Sequence, residues 1–150
     1  MGYENRQDIP VKYTWDLSAI YPNETLLEKD CAAAGELIGK IKNYEGKLNN
    51  EKSIYEFFEL TGDIEELFEK AICYTHMKMD EDSKNTDVQA MRDKVLSNYN
   101  KYSVATSFVQ PELSRLDEKT LDEIMSKPQF KKHNYTLRLS LIHISEPTRL

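Results

Sequence analysis

Apolar side chains recur every three to four positions over long stretches of this chain, the spacing that keeps them on one face of an α-helix. The first stripe, Leu27, Cys31, Ala34, Ile38 and Ile41, predicts a helix that begins near Asn23 and closes near Gly46. Asn23 is a preferred N-cap, Glu24 suits the positive end of the helix dipole, and glycine suits a helix end. Ala32, Ala33, Ala34, Gly35 and Gly39 make the middle of this helix thin, so a neighbour is expected to approach it closely, at a cost of about 1 kcal/mol in propensity for each interior glycine.

The second stripe is broader: Ile54, Phe57, Phe58, Thr61, Ile64, Leu67, Phe68, Ala71, Ile72 and Thr75. A capping box, Ser53 to Glu56, is expected to open this helix, and it should run to about Met79 with Gly62 interrupting it but not ending it. A second box, Thr86 to Gln89, opens a third helix striped by Val88, Met91, Val95, Leu96, Tyr99, Tyr102, Ala105, Phe108 and Val109. Helices two and three are predicted to pair as an antiparallel hairpin. Pro111 should end or kink the third, leaving a short helix over 116–125 capped by Asp117, with a turn at Lys127-Pro128.

Five glycines and five prolines in 150 residues are too few to punctuate a many-stranded sheet. The predicted fold is therefore all-α: an antiparallel helical bundle or long helical hairpin with an extended N-terminal arm. Residues 1–22 form the arm and 23–138 the helical domain. From Leu139 to Leu150 the helical period is lost and apolar positions alternate. That stretch resembles the translated read-through of a transposase adapter used in sequencing libraries, which would end the native reading near Arg138.

Charge narrows the range of partners. A formal charge of -6 repels a phosphate backbone, and no lysine or arginine run offers a local exception, so nucleic acid is not expected. No apolar run reaches the roughly 18 residues of a membrane helix, and the start lacks a signal-peptide layout, so a cytoplasmic protein without a membrane partner is expected. Cys31 and Cys73 lie far apart in helical stripes and are read as two small buried hydrophobes.

Candidate chemistry is thin. Asp80 and Asp82 alternate as in a calcium loop, but Lys84, Asn85 and Met91 stand where an oxygen ligand, a glycine and a glutamate are needed. Asp80 to Asp87 is therefore a solvated helix connection. His76, His133 and His143 are scattered, with no His-Glu-x-x-His to aim two imidazoles at one metal; His76 is expected to make a partly buried polar contact. Glu65-Glu66 and Asp122-Glu123 read as solvated faces, and Met77, Met79 and Met91 as gap-filling core rather than a contact patch. No catalytic, cofactor-binding or metal-binding residue is assigned. Trp15, with Tyr13 and Tyr21, instead looks like an anchor pinning the arm onto something larger.

Four separated segments carry a resemblance. The stretch Ile9 to Glu24 ("IPVKYTWDLSAIYPNE"), together with Asn43 to Leu48, Cys73 to Asp87 and Phe108 to Met125, is similar in order and spacing to the opening of oligoendopeptidase F, a zinc metallopeptidase family related to thimet oligopeptidase. The likeness covers nearly everything before Leu139, and none of the four segments is a catalytic motif. It implies an almost wholly helical enzyme of several hundred residues that encloses a channel around zinc and cleaves short peptides, with metal ligands lying elsewhere. Only the structural signature transfers: Tyr13, Trp15, Asp16 and Leu17 of the arm, and Asp80 to Asp82 of the hairpin tip. The resemblance implies a non-catalytic N-terminal domain, inactive alone, that forms a wall of the channel. Its partners would be the catalytic domain of the same chain and, in the whole enzyme, oligopeptides. Trp15 should be buried there, with Asp16 or Ser18 satisfying nearby backbone donors. A free-standing helical adaptor that binds a partner helix is the alternative from residue chemistry.

Overall fold

The computed structural model describes residues Asp8 to His133. Every regular element among them is helical, as the apolar spacing predicts. Helix α1 spans Glu24–Ile41. Asn23 caps it, its Oδ1 accepting from the Leu26 amide at 3.1 Å, and Leu27, Cys31, Ala34 and Ile41 are buried along one face. A 3-10 turn over Lys42–Tyr44 tightens its end. Gly46 then turns the chain with φ +75°, a left-handed conformation that costs a residue with a Cβ but not glycine.

Helix α2, Glu51–Glu81, is 31 residues long, about 46 Å at 1.5 Å per residue. Its buried face takes in Ile54, Phe57, Phe58, Thr61, Ile64, Phe68, Ala71, Tyr74 and Thr75. Gly62 lies within it without breaking it. The helix opens earlier than the Ser53 capping box predicts. Asn50 is the cap, its Oδ1 accepting from the Ser53 amide at 3.1 Å, while the Ser53 hydroxyl donates to the Lys47 and Asn50 carbonyls. Asparagine is at least as good a cap as serine, and Asn50 stands where the turn ends.

Helix α3, Thr86–Ala105, is also capped earlier than expected, here by one residue. Asn85, not Thr86, precedes the first turn and accepts from the Asp87 and Val88 amides. Residues 82–85 link α2 to α3. Phe68 and Tyr99, equally distant along the chain from that link, meet edge to face at 5.6 Å, the pairing of an antiparallel hairpin. Helix α3 stops at Ala105. Pro111 sits within the short α4, Val109–Leu113, where the first turn has no intrahelical use for its missing amide. Helix α5, Glu118–Met125, is capped by Asp117, which accepts from the Thr120 amide at 2.9 Å. A 3-10 turn over Pro128–Phe130 follows.

The residues pack as two compact units, each assembled from separated stretches: one from the chain up to Glu36 with Ile64–Lys101, the other from Leu37–Asp63 with the chain from Tyr102 onward. In the first, Leu27, Ala34, Ile64, Phe68 and Val95 are deeply buried. In the second, Phe57 is ringed by Tyr44, Phe58 and Phe108 with centroids 5.4–5.9 Å away, in edge-on contacts that add to the burial of aromatic area. The turn before α2 in this unit is held by one carboxylate, since Glu112 accepts from both the Gly46 and the Leu48 amides.

The thin face of α1 does not do what its small residues suggest. Ala32, Ala33, Gly35 and Gly39 are exposed, and a Cβ built at either glycine meets nothing within 4 Å. Cys73 corrects the expectation of two buried cysteines: Cys31 is buried, whereas Cys73 is exposed, because it follows the buried Ala71 at an angle that carries it off the stripe. The adapter-like tail from Leu139, and with it His143, lies outside the described residues.

Candidate functional site

The arm is ordered by short-range bonds. Tyr13 donates its amide to the Pro10 carbonyl at 2.9 Å, and Thr14 sends both its amide and its hydroxyl to Val11. Asp16 then accepts from the Ser18 amide at 3.1 Å and from the Ser18 hydroxyl, starting a 3-10 turn over Leu17–Ala19, as expected of that pair. Within this chain Trp15 is 53% exposed and Tyr13 66% exposed, so the chain's own helices do not bury them. The turn at Val11–Tyr13 buries none of its residues.

Attachment falls to Leu17 and Tyr21 instead. Tyr21 is 3% exposed. Its phenol donates to Asp30 Oδ2 at 2.7 Å, and its ring meets Tyr74 edge-on at 5.3 Å. Lys70 lies over the same ring at 5.2 Å and 3.9 Å from Asp30 Oδ2. Burial, with Asp30 as acceptor and neighbouring charge, pushes the phenol far above its ordinary pKa. It stays a neutral donor, suited to holding the arm and not to proton transfer.

A second polar cluster forms where the segment after α5 meets α2. Glu51 pairs with Lys127 and accepts from Gln129 Nε2 at 2.7 Å. Glu59 Oε1 lies 2.7 Å from both Lys132 Nζ and His133 Nε2. Lys132 foremost, and His133 next, hold the Glu59 carboxyl below the usual carboxylate range. His133 is buried against Phe58 and Tyr55. A histidine oriented by a carboxylate is half of a general-base arrangement, but it needs a hydroxyl or thiol to act upon. Thr61, one turn from Phe58, gives its hydroxyl to the Phe58 carbonyl. The cluster therefore works as a fastening. Sequence reasoning missed it because Glu59 and His133 are 74 residues apart and no local pattern pairs them.

The hairpin tip spends its polar groups on its own backbone: Asp82 accepts from the Lys84 amide at 3.1 Å, and Asn85 caps α3. His76 is exposed rather than partly buried. Met77, Met79 and Met91 are half-buried, and Met91 lines a cleft of about 270 Å³ with Leu27, Cys31, Ala90 and Val95. At its rim Glu28 pairs with Lys94 and Glu24 with Lys78, so its charges are largely matched in place. Burial raises the Cys31 thiol, which leaves it a poor nucleophile and a poor ligand.

The donors among the described residues do not fit the zinc that the resemblance implies. Among the described residues no group of three or more His, Cys, Asp and Glu side chains could hold a metal ion. Among the described residues, His133 is buried and bonded to Glu59, and His76 is exposed.

No family profile matches the chain. Curated proteins do, and they are peptidases. The chain is 27% identical over 135 residues to Oligopeptidase PepF of Bacillus subtilis, covering 89% of this chain and 20% of that protein. It is 29% identical over 134 residues to Group B oligopeptidase PepB of Streptococcus agalactiae, covering 88% and 22%. A plasmid-borne oligoendopeptidase F of Lactococcus lactis matches at 25% over the same share. A crystal structure of a candidate peptidase from Chlamydophila abortus superposes with a TM-score of 0.78 at 25% identity, over 97% of this chain and 26% of its own. The likeness is thus to peptidases as a class, and within that class to the oligoendopeptidase F group. The chain spans about a fifth of the length of the curated relatives it matches.

Proposed function

We propose that this chain is the N-terminal, non-catalytic helical domain of a zinc-dependent oligoendopeptidase that hydrolyses short peptides, and that its helices form one wall of the substrate channel. The observation that carries the reading is the match in length: nearly all of this chain aligns with only about a fifth of each peptidase. A wall needs rigid helices and no reacting groups of its own, and this chain offers buried helical faces with polar clusters that fasten one segment to another. Zinc and the water it would activate belong, on this reading, to the remainder of the polypeptide. The enzyme would work in the cytoplasm; no described helix is long and apolar enough to cross a membrane.

The test is to recover the native reading frame past Arg138 and to assay both products on a fluorogenic oligopeptide. A downstream His-Glu-x-x-His is expected, with chelator-sensitive cleavage by the longer polypeptide and none by the 150-residue chain at any zinc concentration. Zinc-dependent turnover by the 150-residue chain alone would overturn the assignment.

A further inference from the structure

An apolar patch on the arm stands uncovered: Val11 is 85% exposed, Tyr13 66% and Trp15 53%, within five consecutive residues. Three such side chains together present roughly the few hundred Å² at which an apolar patch on a soluble protein marks an interface. Their backbone is not loose. Pro10 fixes its own φ, the Val11–Tyr13 turn closes through Tyr13 and Thr14, and Asp16 starts the next turn. A few residues further along the chain, Leu17 and Tyr21 are buried, with the Tyr21 phenol bound to Asp30. The arm is therefore clamped at its second turn while its first presents rings outward, so the ordering cost of docking is largely met before any partner arrives.

Building on the peptidase reading, we infer that Val11, Tyr13 and Trp15 form a preformed docking surface for an apolar helical face of the remaining polypeptide of the same enzyme. Area decides between this occupant and a second copy of the chain. A stable interface between separate proteins buries about 800 Å² on each partner, well beyond what these side chains supply. A tethered segment needs less, since covalent linkage replaces a bimolecular encounter with an intramolecular one. The relatives' greater length supplies such a segment, since about four-fifths of each lies outside the match. Lys12, whose ammonium lies 4.8 Å from the Tyr13 ring centroid, sits beside the patch and favours a partner face with an acidic edge.

Hydroxyl-radical footprinting reads side-chain exposure residue by residue, so it separates Trp15 from any other tryptophan. Tyr13 and Trp15 should label freely in the 150-residue chain and several-fold more slowly in the longer polypeptide. The triple variant Val11→Ser, Tyr13→Ser, Trp15→Ser should leave the melting temperature of the 150-residue chain unchanged and lower that of the longer one. Equal labelling of Tyr13 and Trp15 in a longer polypeptide that cleaves peptides would overturn the docking surface while leaving the peptidase reading intact. A frame that encodes no peptidase would remove that reading first. In that case, protection of the 150-residue chain that grows with its own concentration would give the patch to a second copy and overturn the inference.

Discussion

Two segments of this chain use nearly the same local code with opposite results. In each, a proline starts a 3-10 turn that ends on an aromatic ring: Val11–Tyr13 after Pro10, and Pro128–Phe130 after Lys127. The first leaves its ring in solvent, while Phe130 is 0% exposed and packs edge-on against Tyr55 at 5.6 Å. The flanks account for the difference. Lys127, Gln129, Lys132 and His133 all find Glu51 or Glu59 on α2, so the second turn is drawn down onto an apolar face by charges placed on either side of it. In the first, Lys12 rests over its own neighbour Tyr13. Aromatic residues supply the area that burial rewards, and complementary polar partners decide where that area is buried.

That contrast can be broken most sharply at the two rings. Phe130→Ala should destabilise the chain by about 3–5 kcal/mol, the cost of removing a fully buried aromatic and leaving a cavity. Trp15→Ala should stay within about 0.5 kcal/mol, as for a surface change. Urea denaturation of both variants checks the pair, and similar losses would abolish the distinction. A smaller effect is expected at Glu112, whose carboxylate accepts two backbone amides in the turn before α2. Glu112→Ala should cost about 1–2 kcal/mol, since it strands the Gly46 and Leu48 donors. Hydrogen exchange of those two amides should rise together.

The smallest effect concerns pH. Glu59 is held below the usual carboxylate range by Lys132 and then His133, so its folded pKa lies under its unfolded one. Its contribution is therefore complete above the unfolded value and is lost as pH falls through the folded one. Thermal melts should show the parent's advantage over Glu59→Gln shrinking across that acidic window. An advantage that grew on acidification would reverse the assignment. Because Lys132 is well exposed, salt should weaken the effect.

Much of the fold was legible because helix periodicity is local. The stripes locate α1, α2 and α3, and Asn23, Asp117 and Gly46 mark boundaries by chemistry that needs no distant partner. The two capping boxes were misplaced for an equally local reason. Asn50 and Asn85 precede the boxes and cap the helices earlier, accepting from the Ser53 amide and from the Asp87 and Val88 amides. Burial of individual residues was harder to read. Residue type predicted a buried Cys73, yet burial depends on which faces meet, and it is exposed. The Glu59–His133 fastening lay beyond any local pattern, as did the reach of Glu112 across 66 residues to the Gly46 amide. The resemblance to oligoendopeptidase F came from words of sequence scattered along the chain, none of which performs chemistry.

The interleaving of the two units has a consequence for synthesis. Every stretch of the first unit has been made once Lys101 leaves the ribosome, whereas Leu37–Asp63 must wait for residues from Tyr102 onward before its own unit can close. Translation therefore imposes a schedule. The part that carries the arm can mature first, while the side of α2 around Tyr55 and Phe57 lacks Phe130 and Phe108 until roughly thirty more residues, through Phe130, have emerged. During that interval the nascent protein has most need of a chaperone.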